Sequence, residues 1–134
     1  MLEFGVMAAC TPAPTDFDKA VAAYRDNRFA DTRPILVAEA NAGNRDAMAM
    51  AGSMLVMGQG GARDSAEGVR WLRKAAEAGN SNAQMMLGTL YTFGTGVPQD
   101  AAEARHWLGL AAKQGDGKAA VLLNKLNGKT EKAM

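Results

Sequence analysis

The stretch that decides the fold is residues 83–115, AQMMLGTLYTFGTGVPQDAAEARHWLGLAAKQG, because its pattern also occurs earlier in the chain. Two runs rich in alanine flank a loop at 94–100 that carries two glycines and a proline. A shift of about 36 residues places the stretch on 47–79, and such a period is the signature of a stacked repeat array. The coinciding pairs are Ala83 and Ala47, Gly88 and Gly52, Gly94 and Gly58, Gly96 and Gly60, Asp100 and Asp64, Trp107 and Trp71, and Gly115 and Gly79.

Turn residues divide each period into two helices. Gly115 follows an alanine-rich run, where a helix can end in the left-handed conformation that glycine adopts at little cost. Asp116, the next residue, is a good N-cap for a following helix. Asp100 stands three residues before Glu103, and Asp64 before a glutamate as well, which is the spacing of a capping box. Each unit is therefore predicted to contain a helix, a Gly-x-Gly loop, a second helix and a tight turn.

The pattern Ala-x-x-x-Leu-Gly-x-x-Tyr-x-x-Gly-x-Gly-Val-x-x-Asp-x-x-x-Ala-x-x-Trp, followed by Ala-Ala-x-x-Gly, occupies 83–115. It resembles the Sel-like repeat, a relative of the tetratricopeptide repeat. The copy at 47–79 departs at three positions, with Ala51 for Leu, Leu55 for Tyr and Gly61 for Val. Because Gly61 removes an apolar anchor, we expect its loop to be held more loosely. The resemblance implies an α-solenoid that binds other proteins, whereas the periodicity alone implies only the solenoid.

The predicted fold is an all-α solenoid of about seven helices over 16–127, with a leader or tether at 1–15 and a flexible tail at 128–134. Asp31 or Thr32 is expected to cap the second helix, with Pro34 in its first turn. The predicted helices lie at about 16–27, 32–42, 46–57, 65–78, 81–93, 101–114 and 117–127. The expected core positions are Ala47, Ala51, Leu55, Ala66, Trp71, Ala75, Ala83, Leu87, Tyr91, Ala102, Trp107 and Ala111.

Composition limits the function classes. The chain has 134 residues, enough for one domain, and its net charge of +1 creates no overall field that would attract nucleic acid. No apolar run is long enough to predict a transmembrane helix. Cys10 is the single cysteine, so no disulfide can form within the chain, unlike cysteine-rich proteins of the family that the chain resembles.

The first residues contain a second signal. Residues 6–10, VMAAC, resemble the end of a bacterial lipoprotein signal, with small residues before Cys10 and a short Pro-containing tether after it. Against this interpretation, the segment ahead is short, Glu3 interrupts it, and no basic residue begins it. Two readings stay open: a lipid anchor at Cys10, which would place the protein in the periplasm or on the outer membrane, or a leader ahead of a cytoplasmic protein.

Residues suited to catalysis are scarce. His106 is the single histidine, and its position next to Trp107 on a second helix predicts a surface residue and no base. The Gly-x-Gly pairs lie between two helices with no following lysine, so they predict turns and no phosphate site. Asp64, Glu67 and Asp100 are interpreted as helix caps, as is Glu103. We expect no cofactor, no metal site and no enzymatic activity.

Methionine marks a candidate binding surface. In a tetratricopeptide-type unit the first helix lines the concave side, and residues spaced i, i+3, i+7 share a helix face. Methionine side chains are flexible and polarisable, which suits a surface that adapts to a partner; the alternative is that they fill gaps in the interior. The predicted partner-binding residues are Met50, Ser53 and Met57 in one unit and Met86, Thr89 and Phe93 in the next, continued by Leu122 and Lys125 in the closing helix.

The combined prediction is a non-catalytic solenoid that binds a partner protein in its concave groove. By analogy with the family that it resembles, the chain is expected to be a bacterial envelope adaptor, or an immunity protein that neutralises a secreted toxic effector. Contact with a membrane is expected only through Cys10. The alternative is a hydrolase of the β-lactamase-like type ascribed to cysteine-rich members, but the chain lacks a Ser-x-x-Lys motif and paired cysteines.

Overall fold

The computed structural model of the chain describes the backbone of residues 13–133 and the side chains of 13–128. Every regular element in the described backbone is a helix, which confirms the all-α prediction. The seven helices are α1 (Asp16–Arg25), α2 (Phe29–Asn41), α3 (Arg45–Met57), α4 (Ser65–Glu77), α5 (Ser81–Phe93), α6 (Ala101–Lys113) and α7 (Gly117–Ala133).

The helices from α3 onward begin and end where the turn residues predict. The Asp100 side chain accepts hydrogen bonds from the backbone N–H groups of Ala102 and Glu103, and Asp116 accepts one from Ala119 at 3.0 Å. Gly115 ends the preceding turn with a φ of 97°. The reciprocal half of the capping box is absent at Asp100, because the Glu103 carboxylate instead accepts a hydrogen bond from the Trp107 indole.

The prediction for the start of α2 was wrong. This helix begins at Phe29, its N-cap Arg28 makes no side-chain cap, and Pro34 lies inside the helix. The Phe29 ring packs edge-on against Tyr24 of α1, with ring centroids 5.1 Å apart. Thr32 is fully buried, and its hydroxyl donates to the Arg28 carbonyl at 2.7 Å. Aromatic packing between α1 and α2 therefore sets the start of α2. The cap residues in the sequence predict a later start.

Both ends of the solenoid also differ from the predicted boundaries. Thr15, the last residue of the predicted leader, is the N-cap of α1 and belongs to the folded array. At the other end, α7 continues to Ala133. Asn127 and Gly128 read as a helix stop in the sequence, but Gly128 keeps helical backbone, so helical structure occupies most of the segment predicted to be a flexible tail.

Successive helices pack against each other along the chain, as expected for a solenoid. The first helices of neighbouring units also contact one another, α3 with α5 and α5 with α7, and these contacts are more extensive than those between the second helices α4 and α6. The row formed by α3, α5 and α7 therefore lies on the inner side of the curve. We call the exposed side of this row the inner face.

Most of the predicted core is confirmed. Leu87, Ala75 and Ala83 are fully buried, and Trp107 is 5% exposed. The predictions for Ala66 and Ala102 were wrong, because both lie in the first turn of a second helix and are exposed. The residues two positions later, Gly68 and Ala104, face the interior instead.

Small residues let the paired helices approach closely. A Cβ atom added to Gly52 would lie 2.8 Å from the Gly68 carbonyl oxygen and 2.8 Å from Leu72 Cγ. At Gly88 it would lie 2.5 Å from Leu108 Cγ. Both distances are far below van der Waals contact, so a side chain at either position would force the two helices of the unit apart.

The two Gly-x-Gly loops are held by different contacts. Val97 is partly buried against the main core, as the repeat pattern requires. Gly61, its equivalent, cannot make that contact, and Arg33 of α2 holds this loop instead: its guanidinium donates to the Ala62 carbonyl at 2.7 Å and to the Gln59 carbonyl at 3.5 Å. An arginine from the preceding unit thus provides contacts where the apolar anchor is missing.

The capping box at Thr15 leads to a prediction about pH. The Thr15 hydroxyl accepts from the Asp18 N–H at 3.1 Å, and the Asp18 carboxylate accepts from the Thr15 backbone N–H at 3.0 Å and from its hydroxyl at 2.9 Å. These bonds hold the pKa of Asp18 below its ordinary value, and the bond from the Thr15 backbone N–H has the largest effect. A lowered pKa in the folded state stabilises the fold above the ordinary pKa, and this contribution is lost as pH falls through the lowered value.

We therefore expect Thr15→Ala to lower the melting temperature by about 2–5 °C at neutral pH. The difference from wild type should shrink as the pH falls below the range in which Asp18 is ionised. Asp16→Ala, a change in the same helical turn but outside the capping box, is the matched control. Melting followed by circular dichroism checks the prediction, and a Thr15→Ala difference that stays constant down to the lowest pH would contradict it.

Candidate functional site

The inner face carries two large apolar side chains that reach solvent. Phe93 is 66% exposed and Met57 is 51% exposed. They are the last residues of α5 and α3, each directly before a left-handed glycine that ends the helix. Because they occupy equivalent positions in successive units, the exposure belongs to the repeat and is not a feature of one turn.

The other four predicted site residues are less exposed. Met50 packs against the N-terminal core cluster around Leu36 and Met54, and Met86 packs against the larger core cluster. Both methionines thus also serve the interior, which is the alternative that the sequence left open for them. Thr89 is partly buried, and its hydroxyl donates to the Met85 carbonyl at 2.9 Å.

Ser53 lines a cavity at the junction of α1, α3 and α5. Its volume is about 210 Å³, and its polar and apolar lining residues come from three units. The Asp46 carboxylate at its rim accepts a hydrogen bond from Asn80 at 2.9 Å. The lining residues include Tyr24, Asp46, Met50, Ser53, Asn80 and Asn82. Tyr24, Asp46, Asn80 and Asn82 were not predicted as site residues, because helical spacing within one repeat does not show which residues of different units meet.

The inner face becomes basic at its C-terminal end. Lys118, Val121, Leu122 and Lys125 line a shallow depression of about 380 Å³ on α7, and Val121 is 56% exposed. Neither lysine forms an ion pair with a residue in the described part of the chain. The predicted continuation of the face through Leu122 and Lys125 therefore lies in one depression, with Lys118 as an added cation.

The single histidine and the possible metal ligands were considered in the sequence as groups for catalysis. His106 is exposed, as predicted, and packs edge-on against Trp107 with centroids 4.8 Å apart. Among the described residues, no three His, Cys, Asp or Glu side chains could share a metal ion. No helix in this part of the chain is both long and apolar enough to cross a bilayer. Cys10 lies outside the described residues.

Comparison with family models decides the identity of the array. The model of the Sel1 repeat matches residues 45–80 and 81–116, which together make up more than half of the chain. The chain belongs to the Sel1 repeat family. The Sel1 repeats correspond to α3 with α4 and to α5 with α6, so α1, α2 and α7 flank them.

Solved structures support the same assignment. A Sel1 repeat protein from Oxalobacter formigenes is 27% identical, with a TM-score of 0.77, and the match covers 84% of this chain and 46% of that one. The protein c5321, a protective antigen of uropathogenic Escherichia coli with the same type of fold, is 28% identical, with a TM-score of 0.80 over 96% of this chain and 27% of its own. This chain spans less than half the length of either protein. No curated protein matches the sequence.

Membership of the family sets the general role. Sel1 repeats commonly act as protein–protein interaction modules, and the family is generally a non-catalytic scaffold.

Proposed function

We propose that this Sel1 repeat protein is a non-catalytic binding module that holds a segment of a partner protein across its inner face. The observation that carries the proposal is the exposure of Phe93 and Met57 at equivalent positions of successive units. Large apolar side chains that recur on one exposed face are typical of interaction sites. The flexible methionine can adapt to the partner, and the aromatic ring offers a large rigid contact.

The chemistry of the inner face defines the partner segment. Apolar side chains of the partner segment would pack on Met57 and Phe93, and polar groups of the same segment would lie in the cavity beside Ser53. At the α7 end, Lys118 and Lys125 lack partners in the described structure, so the segment carries acidic residues there. The partner is accordingly a protein segment with spaced apolar residues and an acidic stretch at one end.

Two experiments separate binding from catalysis. A tagged chain used as bait in its native host should retain one dominant protein, and the purified pair should bind reversibly in isothermal titration calorimetry. Turnover of generic β-lactam and ester substrates should equal the buffer background. Turnover above background that follows the protein through purification would favour the hydrolase and contradict the proposal.

A place in the bacterial envelope, as an adaptor or as an immunity protein, belongs to the same proposal. Its support is the small-residue pair before Cys10 in the sequence. We expect the chain to incorporate radiolabelled palmitate in a bacterial host, and a Cys10→Ser variant to lose the label. An equal label in both chains, or none in either, would contradict the lipid anchor without affecting the binding proposal.

A further inference from the structure

The two repeat tryptophans have different surroundings although they occupy equivalent positions. Trp107 is 5% exposed, and its indole N–H donates to the Glu103 carboxylate at 3.1 Å. Trp71 is only partly buried, and its indole N–H has no hydrogen-bond partner among the described residues. Glu67, the equivalent of Glu103, does not accept that bond. Trp107 is therefore buried with its N–H hydrogen-bonded, whereas the N–H of the partly buried Trp71 is unpaired among the described residues.

The open tryptophan borders a cavity of about 260 Å³ on the second helices. Asn41 from the end of α2 forms one side, and Glu67, Arg70, Trp71 and Lys74 of α4 form the rest. The Lys74 ammonium lies 5.2 Å from the centroid of the Trp71 ring. Arg70 and Lys74 are both exposed, and neither forms an ion pair within the described residues. The cavity thus combines an aromatic surface with two cations, and neither cation is ion-paired with the Glu67 carboxylate that lines the same cavity.

The equivalent positions of the next repeat show that this charge is specific to one unit. The five cavity residues beside Trp71 include two cations and one carboxylate. The five equivalent residues around Trp107, the second set, include two carboxylates and neither lysine nor arginine. In the second repeat the tryptophan ring is also covered. His106 packs on the Trp107 ring, and the guanidinium of Arg73, from the first repeat, lies 6.0 Å from the centroid of that ring. The positions that correspond to Asn41, Glu67, Arg70, Trp71 and Lys74 are Glu77, Glu103, His106, Trp107 and Leu110.

These groups match the chemistry of a carboxylate. A guanidinium can bind a carboxylate through two parallel hydrogen bonds, and the lysine, the amide of Asn41 and the free indole N–H are further donors. The short aliphatic stem of an acidic side chain would lie against the indole ring. We infer that the cavity beside Trp71 is a carboxylate-binding site, which takes an acidic side chain of a protein or a small carboxylic acid.

This site is separate from the inner face. It lies on α2 and α4, which are second helices, whereas the proposed partner segment lies along the first helices α3, α5 and α7. The inference therefore holds or fails independently of the proposed function.

The test follows the two indole N–H signals of the intact, ¹⁵N-labelled protein by NMR, with Trp71→Phe used to assign them. The probes are N-acetylglutamate amide and its neutral counterpart N-acetylglutamine amide. The Trp71 signal should shift in a saturable way with the acid only, and the Trp107 signal should stay in place. Equal shifts with both probes, shifts of both signals, or no shift at all would overturn the inference.

Two substitutions and a second probe complete the test. Arg70→Gln should weaken binding of the acid by about tenfold, the loss expected for one charge-assisted bidentate contact. His106→Gln, at the equivalent position of the other repeat, should leave the affinity unchanged; an equal effect of the two substitutions would overturn the inference. A short Leu-Glu-Leu peptide with blocked ends tells whether the bound carboxylate comes from a protein or from a small acid. Tighter binding of the peptide than of the free acid indicates a protein side chain, and equal binding indicates a small acid.

Discussion

Trp107→Ala is expected to lower the free energy of unfolding by about 3–5 kcal/mol, the cost of emptying a large core site. Trp107, on α6, is almost fully buried in the larger core cluster. Its removal would also leave Glu103 without its indole donor and Arg73 without one of its two aromatic contacts. Such a loss is a large part of the stability of a domain this size.

Trp71→Ala is the matched control, since it makes the same change at the equivalent position of the other repeat. Because Trp71 is only partly buried and its N–H is unpaired in the described structure, the loss should be about half as large. Urea unfolding followed by circular dichroism measures both. Equal losses would show that the two tryptophans are equally buried, and an unchanged midpoint for Trp107→Ala would show that the repeat register is wrong.

Changing Met57 and Phe93 together to Ser is expected to weaken binding of the partner by about 2–4 kcal/mol, the scale of one or two hot-spot losses. Folding should be nearly unaffected, because both side chains are more than half exposed and neither belongs to a core cluster. Met86 is a poorer choice for this variant, since its side chain packs against the core and its loss would mix stability with binding.

Titration of the purified partner into the double variant measures this loss. His106→Ser, an exposed aromatic-to-serine change on a second helix, is the control and should bind at full strength. A double variant that unfolds would show that Met57 and Phe93 support the core. A double variant that folds and binds like the wild type would place the partner elsewhere on the surface.

The fold could be predicted from the sequence because glycine and cap residues act locally. The conformation of Gly115 and the cap at Asp116 depend only on their own helix ends, so a repeated pattern carries them from unit to unit. The predictions failed where contacts with another helix decide. Phe29 starts α2 early because it packs on Tyr24, and the Gly61 loop is held by an arginine from the preceding unit.

The candidate site could be predicted only in part, for a similar reason. Helical spacing places Met50, Met57, Met86 and Phe93 on one side of their helices, but spacing does not tell how far the neighbouring unit covers each of them. The residue at the end of the helix stays exposed in both units, whereas the methionine two turns earlier meets the core. The cavity at Ser53 combines residues of three units, which no single repeat contains.

The central claim is that the inner face of this Sel1 repeat protein docks a partner protein. The most direct measurement is photo-cross-linking in the native host from a benzoylphenylalanine placed at position 93, compared with the same group at position 106 on the outer side. The claim predicts one discrete covalent adduct from position 93, which disappears when Met57 is also changed to Ser, and none from position 106. An adduct that forms from position 106 but not from position 93 would contradict it.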